Sequence, residues 1–341
     1  MVPKVTIEQS LKNGRYVFID TRTPKEFEED HIPNAINIPI LSNEERAVVG
    51  TLYKQVSQEK AIEKGKEFFA SKLPEFMKEI DKHKNNELII YCWRGGMRSR
   101  AVVALLESLK YNVQQLVGGY KSYRKYVRES LHNYNFKPQL IMLWGLTCTG
   151  KTQLLHKLTN SLDLEGLAQH RGSLYGAIGL TPRTQKRFET LLLQRLDELN
   201  TETYVFVEGE SRRIGDLMIP EFLWKKMMAG IHVLITRSIP IRASEAVKEY
   251  FSSDDAITKI QEITTKLPRI LGEKRKQDVV DLIDAKEFEK AATILLEEYY
   301  DMLYAHTLKK QQYQFEVNND DLEKAVEELK ELKEIIHSKL S

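Results

Sequence analysis

Cysteine is scarce in this chain: 341 residues contain two, Cys92 and Cys148. Two thiols, each inside a motif, argue against a disulfide scaffold and for a reducing cytoplasm. A long apolar run is also missing. No stretch approaches the roughly 20 residues a membrane helix needs, and the opening "MVPKVTIEQS" has no signal-peptide core. The expectation is a cytoplasmic protein with no membrane partner. Net charge is small as well, since 51 Lys and Arg face 49 Asp and Glu. A balance of +2 neither demands nor excludes a nucleic acid, so any basic surface must be local. Neither repeats nor low-complexity tracts occur. What remains, 42% hydrophobic and 29% charged residues, describes a well-cored globular chain long enough for two domains.

One cysteine stands in "IIYCWRGGMRSR" (89–100). The β-branched run "ELIIYC" ends at Cys92, and "MRSRAVVALLESL" shows apolar residues at helical spacing. Trp93, Arg94, Gly95, Gly96, Met97 and Arg98 therefore form a tight strand-to-helix loop whose N–H groups converge near a helix start. Such a loop binds anions, because free amides and the helix dipole both favour negative charge. The same field, with Arg94 and Arg98, should favour the thiolate and make Cys92 a nucleophile. An inert cysteine at a strand end is the alternative.

Around this loop, strands such as "YVFID" (16–20), "LIIYC" and "VQQLVGG" alternate with helical stretches, which implies a parallel sheet covered on both faces. After the basic, aromatic "YKSYRKYVRESLHNYNFKP" the pattern restarts at "QLIMLWG" (139–145). We place the boundary near residue 130, giving domains 1–130 and 131–341, joined without a Gly/Ser-rich linker. The restart leads into "GLTCTGKT" (145–152), a complete G-x-x-x-x-G-K-[ST] between a buried strand and the helix "KTQLLHKLT". In such a loop Gly145, Thr147, Cys148, Thr149 and Gly150 wrap a diphosphate, Lys151 reaches its oxygens, and the Thr152 hydroxyl can ligate magnesium. Glu208 and Glu210, ending the strand "TYVFVEGE", stand where a carboxylate that positions metal or water is expected. With "IHVLITR" (231–237) and a helix from Ile241, these segments outline a nucleotide-kinase-like core. The tail carries Leu322, Val326, Leu329 and Ile336 at helical spacing, so an amphipathic helix docked on the core is expected.

Local basic clusters are candidates for RNA contact. They comprise Lys121 and Arg124, where aromatics interleave with cations; Arg183, Lys186 and Arg187; Arg212 and Arg213; and Arg269, Lys274 and Arg275. Each could equally be a solvated face.

On these residues the chain resembles a known family, the tRNA 2-selenouridine synthases, in which a rhodanese domain precedes a P-loop domain. In the first domain the resemblance rests on "DTRTPKEFEEDHIPNAINIPILSNEERAVVGTLYKQ" (20–55), "YCWRGGMRS" (91–99) and "VGGYKSYR" (117–124). In the second it rests on "GLTCTGKT", "HRGSLYGAIG" (170–179), "TQKRFE" (184–189) and "VEGESRRIG" (207–215). The resemblance implies an α/β fold: a rhodanese-like doubly wound parallel sheet, then a P-loop α/β domain with extra helices. It implies a transferase that replaces sulfur by selenium in wobble-position 2-thiouridine of tRNA, through an S-geranyl intermediate. Selenophosphate and geranyl diphosphate would be co-substrates, with no tightly bound cofactor beyond magnesium, and a monomer is the default state. Cys92 maps onto the family's catalytic cysteine, and the loop after it onto the site for the donor's phosphate. The family usually has glycine where this chain has Cys148. A rival reading comes from the C-x₅-R spacing of Cys92 and Arg98, which would suit a cysteine-dependent phosphatase or sulfurtransferase fused to a kinase-like domain. A degenerate domain serving only to dock RNA is a second rival, opposed by the intact Cys92, Lys151 and Thr152.

Overall fold

The computed structural model describes residues 2–12, 14–209, 211–267 and 270–340. Two compact units emerge: one comprises residues 1–133 with 186–193, the other 134–185 with 194–341.

The first unit is built on five parallel strands, β1 (Lys4–Val5), β2 (Tyr16–Asp20), β3 (Ile36–Asn37), β4 (Glu87–Tyr91) and β5 (Val113–Leu116), in the order β1-β5-β4-β2-β3. Central β4 reads as an unbroken apolar run because both its faces are covered, and Leu88, Ile89, Ile90 and Tyr91 are fully buried. Helices start where the sequence supplies caps: Thr23 with Glu26, and Ser42 with Glu45, each form a reciprocal capping box. The helix Gln58–Asp81 runs 24 residues with Pro74 inside it.

The basic, aromatic stretch after β5 is itself a helix, Gly119–His132. Its buried side chains include Tyr120, Tyr123, Val127 and Leu131, spaced for one face. Tyr120 and Tyr123 pack inward together with Arg124 and are not a platform for stacking bases, while Tyr126 is half-buried.

The second unit has its own parallel sheet. Strands β6 (Gln139–Trp144), β7 (Ser161–Leu162), β8 (Tyr204–Glu208), β11 (Ile231–Thr236) and β12 (Phe315–Asn318) lie in the order β12-β11-β6-β8-β7. Between β8 and β11, β9 (Arg213–Ile214) and β10 (Leu217–Met218) make a short antiparallel ribbon. The helix after β11 begins at Ile239, with Pro240 in its first turn where a missing N–H costs nothing. The tail helix Leu322–Leu340 buries Val326, Leu329 and Leu332 in one cluster with Ile141, Leu143 and Leu155. The side chain of Ile336 lies outside the described residues. No described helix is long and apolar enough to cross a membrane.

Candidate functional site

The thiol of Cys92 sits just past the end of β4, 3% exposed. The helix Met97–Ser108 begins five residues later, and its N-cap Gly96 contributes no capping side chain. The loop is held by its carbonyls. Cys92 O accepts from Tyr120 N and Trp93 O from Lys121 N, both at 2.9 Å. Gln115, buried on β5, donates to Gly95 O at 2.9 Å and to Gly96 O at 3.2 Å. Tying the carbonyls outward leaves the loop amides for an anion. Gly119 completes the interlock. It adopts φ +57°, and a Cβ there would collide with Cys92 O and Gly95 N.

Ser99 meets the sulfur, with Oγ 3.3 Å from Cys92 Sγ. The same Oγ accepts from Gln115 Nε2 at 2.9 Å. With a lone pair taken by Gln115, the hydroxyl proton is left to point at sulfur or at Gly96 O, 3.4 Å away. A thiolate at Cys92 would receive it. Sequence reading missed both positioning residues. Gln115 could have been flagged as a polar residue inside an apolar strand, whereas Ser99 looked like one more helix residue.

The two loop arginines differ. Arg94 is exposed. Arg98 donates to Glu26 Oε2 at 3.0 Å. Burial pushes the Glu26 carboxyl upward, yet Arg98 and the Thr23 N–H outweigh it and hold Glu26 below its ordinary range. An anion at the loop must therefore share Arg98 with Glu26. Trp93 lies half-buried, 5.3 Å from Tyr120, and Met97 is exposed.

In the second unit the glycine-rich loop lies between β6 and the helix Lys151–Lys157. It too is pinned from outside. Buried Arg242 donates to Thr147 O at 2.9 Å while gripping Asp301 with two nitrogens, and buried Asn319 donates to Thr149 O at 2.8 Å. Lys151 Nζ rests on Gly145 O at 2.9 Å. The loop opens on a cavity of about 380 Å³ whose lining includes the cations Lys151, Arg171 and Arg212, the acids Glu165 and Glu249, and the apolar Trp144, Trp224 and Met228. Cations and aliphatic or aromatic walls in one cavity suit an anion with an apolar body. Arg242 and Asn319 escaped the sequence reading because they arrive from distant segments, and Arg171 lies in "HRGSLYGAIG" without having been singled out there.

Glu208 ends β8 almost wholly buried. Its Oε1 accepts from Glu165 N at 2.6 Å and its Oε2 has no partner among the described residues. Burial first, then the charges of Asp163 and Glu165, push this carboxyl well above its ordinary range. Glu210 lies outside the described residues.

Cys148 adopts φ +61°, the left-handed region that disfavours any residue with a Cβ. Its thiol packs against the apolar cluster that includes Tyr250 and Leu296. Burial, reinforced by Glu249, pushes the thiol up to about 12, so it stays protonated at neutral pH. Replacing it by Gly should release roughly 1–2 kcal/mol of strain, offset by about 0.5–1 kcal/mol of added unfolded-state entropy. Cys148→Gly is therefore expected to raise the denaturant midpoint slightly. A lower midpoint would show that the packed thiol outweighs the backbone strain.

The basic candidates do not form one set. Arg124 must be struck from an RNA surface: it is buried, with NH1 3.1 Å from Thr190 Oγ1 and 3.4 Å from Asp30 Oδ2, and it also pairs with Glu189. A cation committed to internal acids is not offered to phosphate. Lys186 pairs with Glu29, and Arg187 lies 3.8 Å from buried Asp30. Arg183 donates to the carbonyls of Gly166 and Leu167. Arg213 pairs with Asp216, and Arg275 with Glu298 and Asp278. Lys121 and Lys274 are exposed, Arg212 lines the loop cavity, and Arg269 lies outside the described residues.

The fold and the two loops define a class: an α/β chain that joins a thiol-bearing anion cradle to a phosphate-type loop domain. A rhodanese-like domain model matches residues 5–126, and the model of the tRNA 2-selenouridine synthase AAA domain matches residues 138–334. A tRNA 2-selenouridine synthase of Nitrosomonas europaea is 30% identical over 94% of this chain and 84% of its own length. One of Hydrogenovibrio crunogenus is 31% identical over 92% of this chain and 94% of its own. The chain belongs to the tRNA 2-selenouridine synthase family.

Proposed function

We propose that this chain modifies tRNA, replacing the sulfur of a wobble-position 2-thiouridine by selenium in two steps, one at each loop. The observation that carries the reading is the pairing, in one chain, of a buried thiol met by a hydroxyl with a glycine-rich loop that opens on a cavity with cationic and apolar walls. In the first step the thiocarbonyl sulfur attacks the prenyl carbon of geranyl diphosphate. A carbon–sulfur bond forms, the carbon–oxygen bond breaks, and diphosphate leaves into the loop amides and Lys151. Oriented donors of this kind stabilise the charge that develops on the leaving group. In the second step the Cys92 thiolate attacks C2 and geranyl thiol departs, the selenium of selenophosphate then displaces Cys92 from C2, and water cleaves the selenium–phosphorus bond so that phosphate leaves. S-alkylation serves this exchange, because a thiol leaves where a thiocarbonyl sulfur would not.

Thr152 and Glu208 would hold a magnesium ion at the diphosphate. Thr152 lines the loop cavity, and Glu208 Oε2, buried with no partner among the described residues, is the orphaned acceptor that such an ion would satisfy. Magnesium would there neutralise diphosphate charge. The phosphatase reading finds its buried acids engaged, Asp20 with Arg22 and Asp30 through Oδ2 with Tyr120 and Thr190. Incubating the protein with 2-thiouridine tRNA, selenophosphate and geranyl diphosphate, then digesting the tRNA to nucleosides for mass spectrometry, is the test. 2-Selenouridine and its S-geranyl precursor are expected, and unaltered 2-thiouridine would overturn the reading.

A further inference from the structure

The first unit holds a larger hollow that neither step uses. It is a groove of about 860 Å³ along the outer face of the helix Met97–Ser108 and the helices Asn43–Gln55 and Gln58–Asp81. This volume lies at the upper end of the range for small-molecule sites. Its floor is aliphatic for the most part, with Ile40, Val49, Ile62, Phe69, Ala101 and Ala104. Its other lining residues include six cations, Lys4, Arg46, Lys54, Lys66, Arg98 and Arg100, and among the described residues no Asp or Glu lines it. Arg98 is shared with Glu26, and in a chain whose charges nearly cancel the other five cations, with no acid in the lining, are a local excess that calls for an anion.

A second observation concerns the helix Asn43–Gln55. None of its thirteen residues is buried, although it carries Val48, Val49, Leu52 and Tyr53. Val48 is 44% and Tyr53 58% exposed, and Val56 just beyond is 55% exposed. Of these, Val49 and Tyr53 line the hollow, and apolar side chains left open beside a hollow mark a binding surface more often than scattered exposure does.

We propose that this groove binds an organic anion with an aliphatic chain, the chain on the floor and a phosphate-type head among the cations. Aliphatic walls favour a chain over stacked bases, since Tyr53 and Phe69 are the aromatics of the lining. The groove shares Met97 and Arg98 with the start of the Cys92 helix, so an occupant lies beside the thiol loop. This assignment is separate from the two-step reading and survives its failure.

Octyl phosphate is a suitable probe, titrated calorimetrically against the full chain carrying Lys151→Ala, so that the glycine-rich loop contributes little. Inorganic phosphate and 1-octanol are the comparators. Octyl phosphate is expected to bind at least tenfold tighter than either, because only it engages both floor and cations. Ala104→Trp, placed on an exposed helical position, should fill the groove and weaken binding tenfold or more without lowering the unfolding temperature. The pair Lys54→Glu and Lys66→Glu should weaken octyl phosphate but not octanol. Equal affinities for octyl phosphate and inorganic phosphate would overturn the proposal, as would a titration unchanged by Ala104→Trp. So would a single-stranded RNA oligonucleotide that loses affinity in Ala104→Trp when octyl phosphate does not bind, which would assign the groove to nucleic acid.

Discussion

Lys151→Ala is expected to slow S-geranylation of 2-thiouridine tRNA by about 10²–10³, the usual cost of removing one oriented donor from a developing oxyanion. The same protein, given tRNA already geranylated, should still install selenium, because that step needs a thiol and no diphosphate. Cys92→Ser should behave in the opposite sense, geranylating the tRNA and then stopping, so that the intermediate accumulates. Both variants are expected to fold. Lys151 Nζ contributes hydrogen bonds to loop carbonyls, at 2.9 Å to Gly145 and 3.4 Å to Leu146, while Cys92→Ser changes one atom. Nucleoside mass spectra of the two reactions read the contrast directly. Loss of geranylation in a folded, tRNA-binding Cys92→Ser would end the assignment of one step to each loop.

Gly119→Ala should be the most damaging single methyl in the first unit. The added carbon would need space already held by Cys92 O and Gly95 N, both backbone atoms of the loop it supports. Overpacking costs roughly 1–3 kcal/mol, and a Cβ at φ +57° about 1–2 kcal/mol more. A loss of roughly 3 kcal/mol or more is expected in denaturant titration. Gly96→Ala is the control. It lies in the same loop with nothing within 4 Å of the place its methyl would take, and a change within about 0.5 kcal/mol is expected for such an open site. Equal stability of the two variants would show that the junction is looser than the geometry indicates.

What could be read from the sequence was what is contiguous. Each loop is a strand, a turn and a helix start within about a dozen residues, so Cys92 and Lys151 declare themselves by their neighbours. The groups that tension those loops come from elsewhere. Gln115 reaches Ser99 across 16 residues, Arg242 reaches Thr147 across 95, and no local periodicity signals either pairing. Arg124 illustrates the converse difficulty. A cation among tyrosines looks the same in sequence whether it faces RNA or a buried Asp30, and only the packing of its helix decides. The open groove was equally silent, because apolar spacing in 43–55 does not reveal whether anything covers it. At Cys148 the sequence raised the right question, but only the backbone angle could answer it.

The bond from Asn319 to the carbonyl of Thr149 spans 170 residues, and this has a bearing on when the loop can exist. A ribosome that has just added Thr149 has still to make the whole of β12 and the turn beyond it. At roughly 5–20 residues per second that interval is about 10–30 s. Throughout it the carbonyl of Thr149 lacks the distant side chain that holds it, so that end of the nascent loop is not yet pinned. The second loop is thereby completed long after the first, and a chain that stops short of Asn319 is expected to have its thiol loop complete and its lysine loop slack.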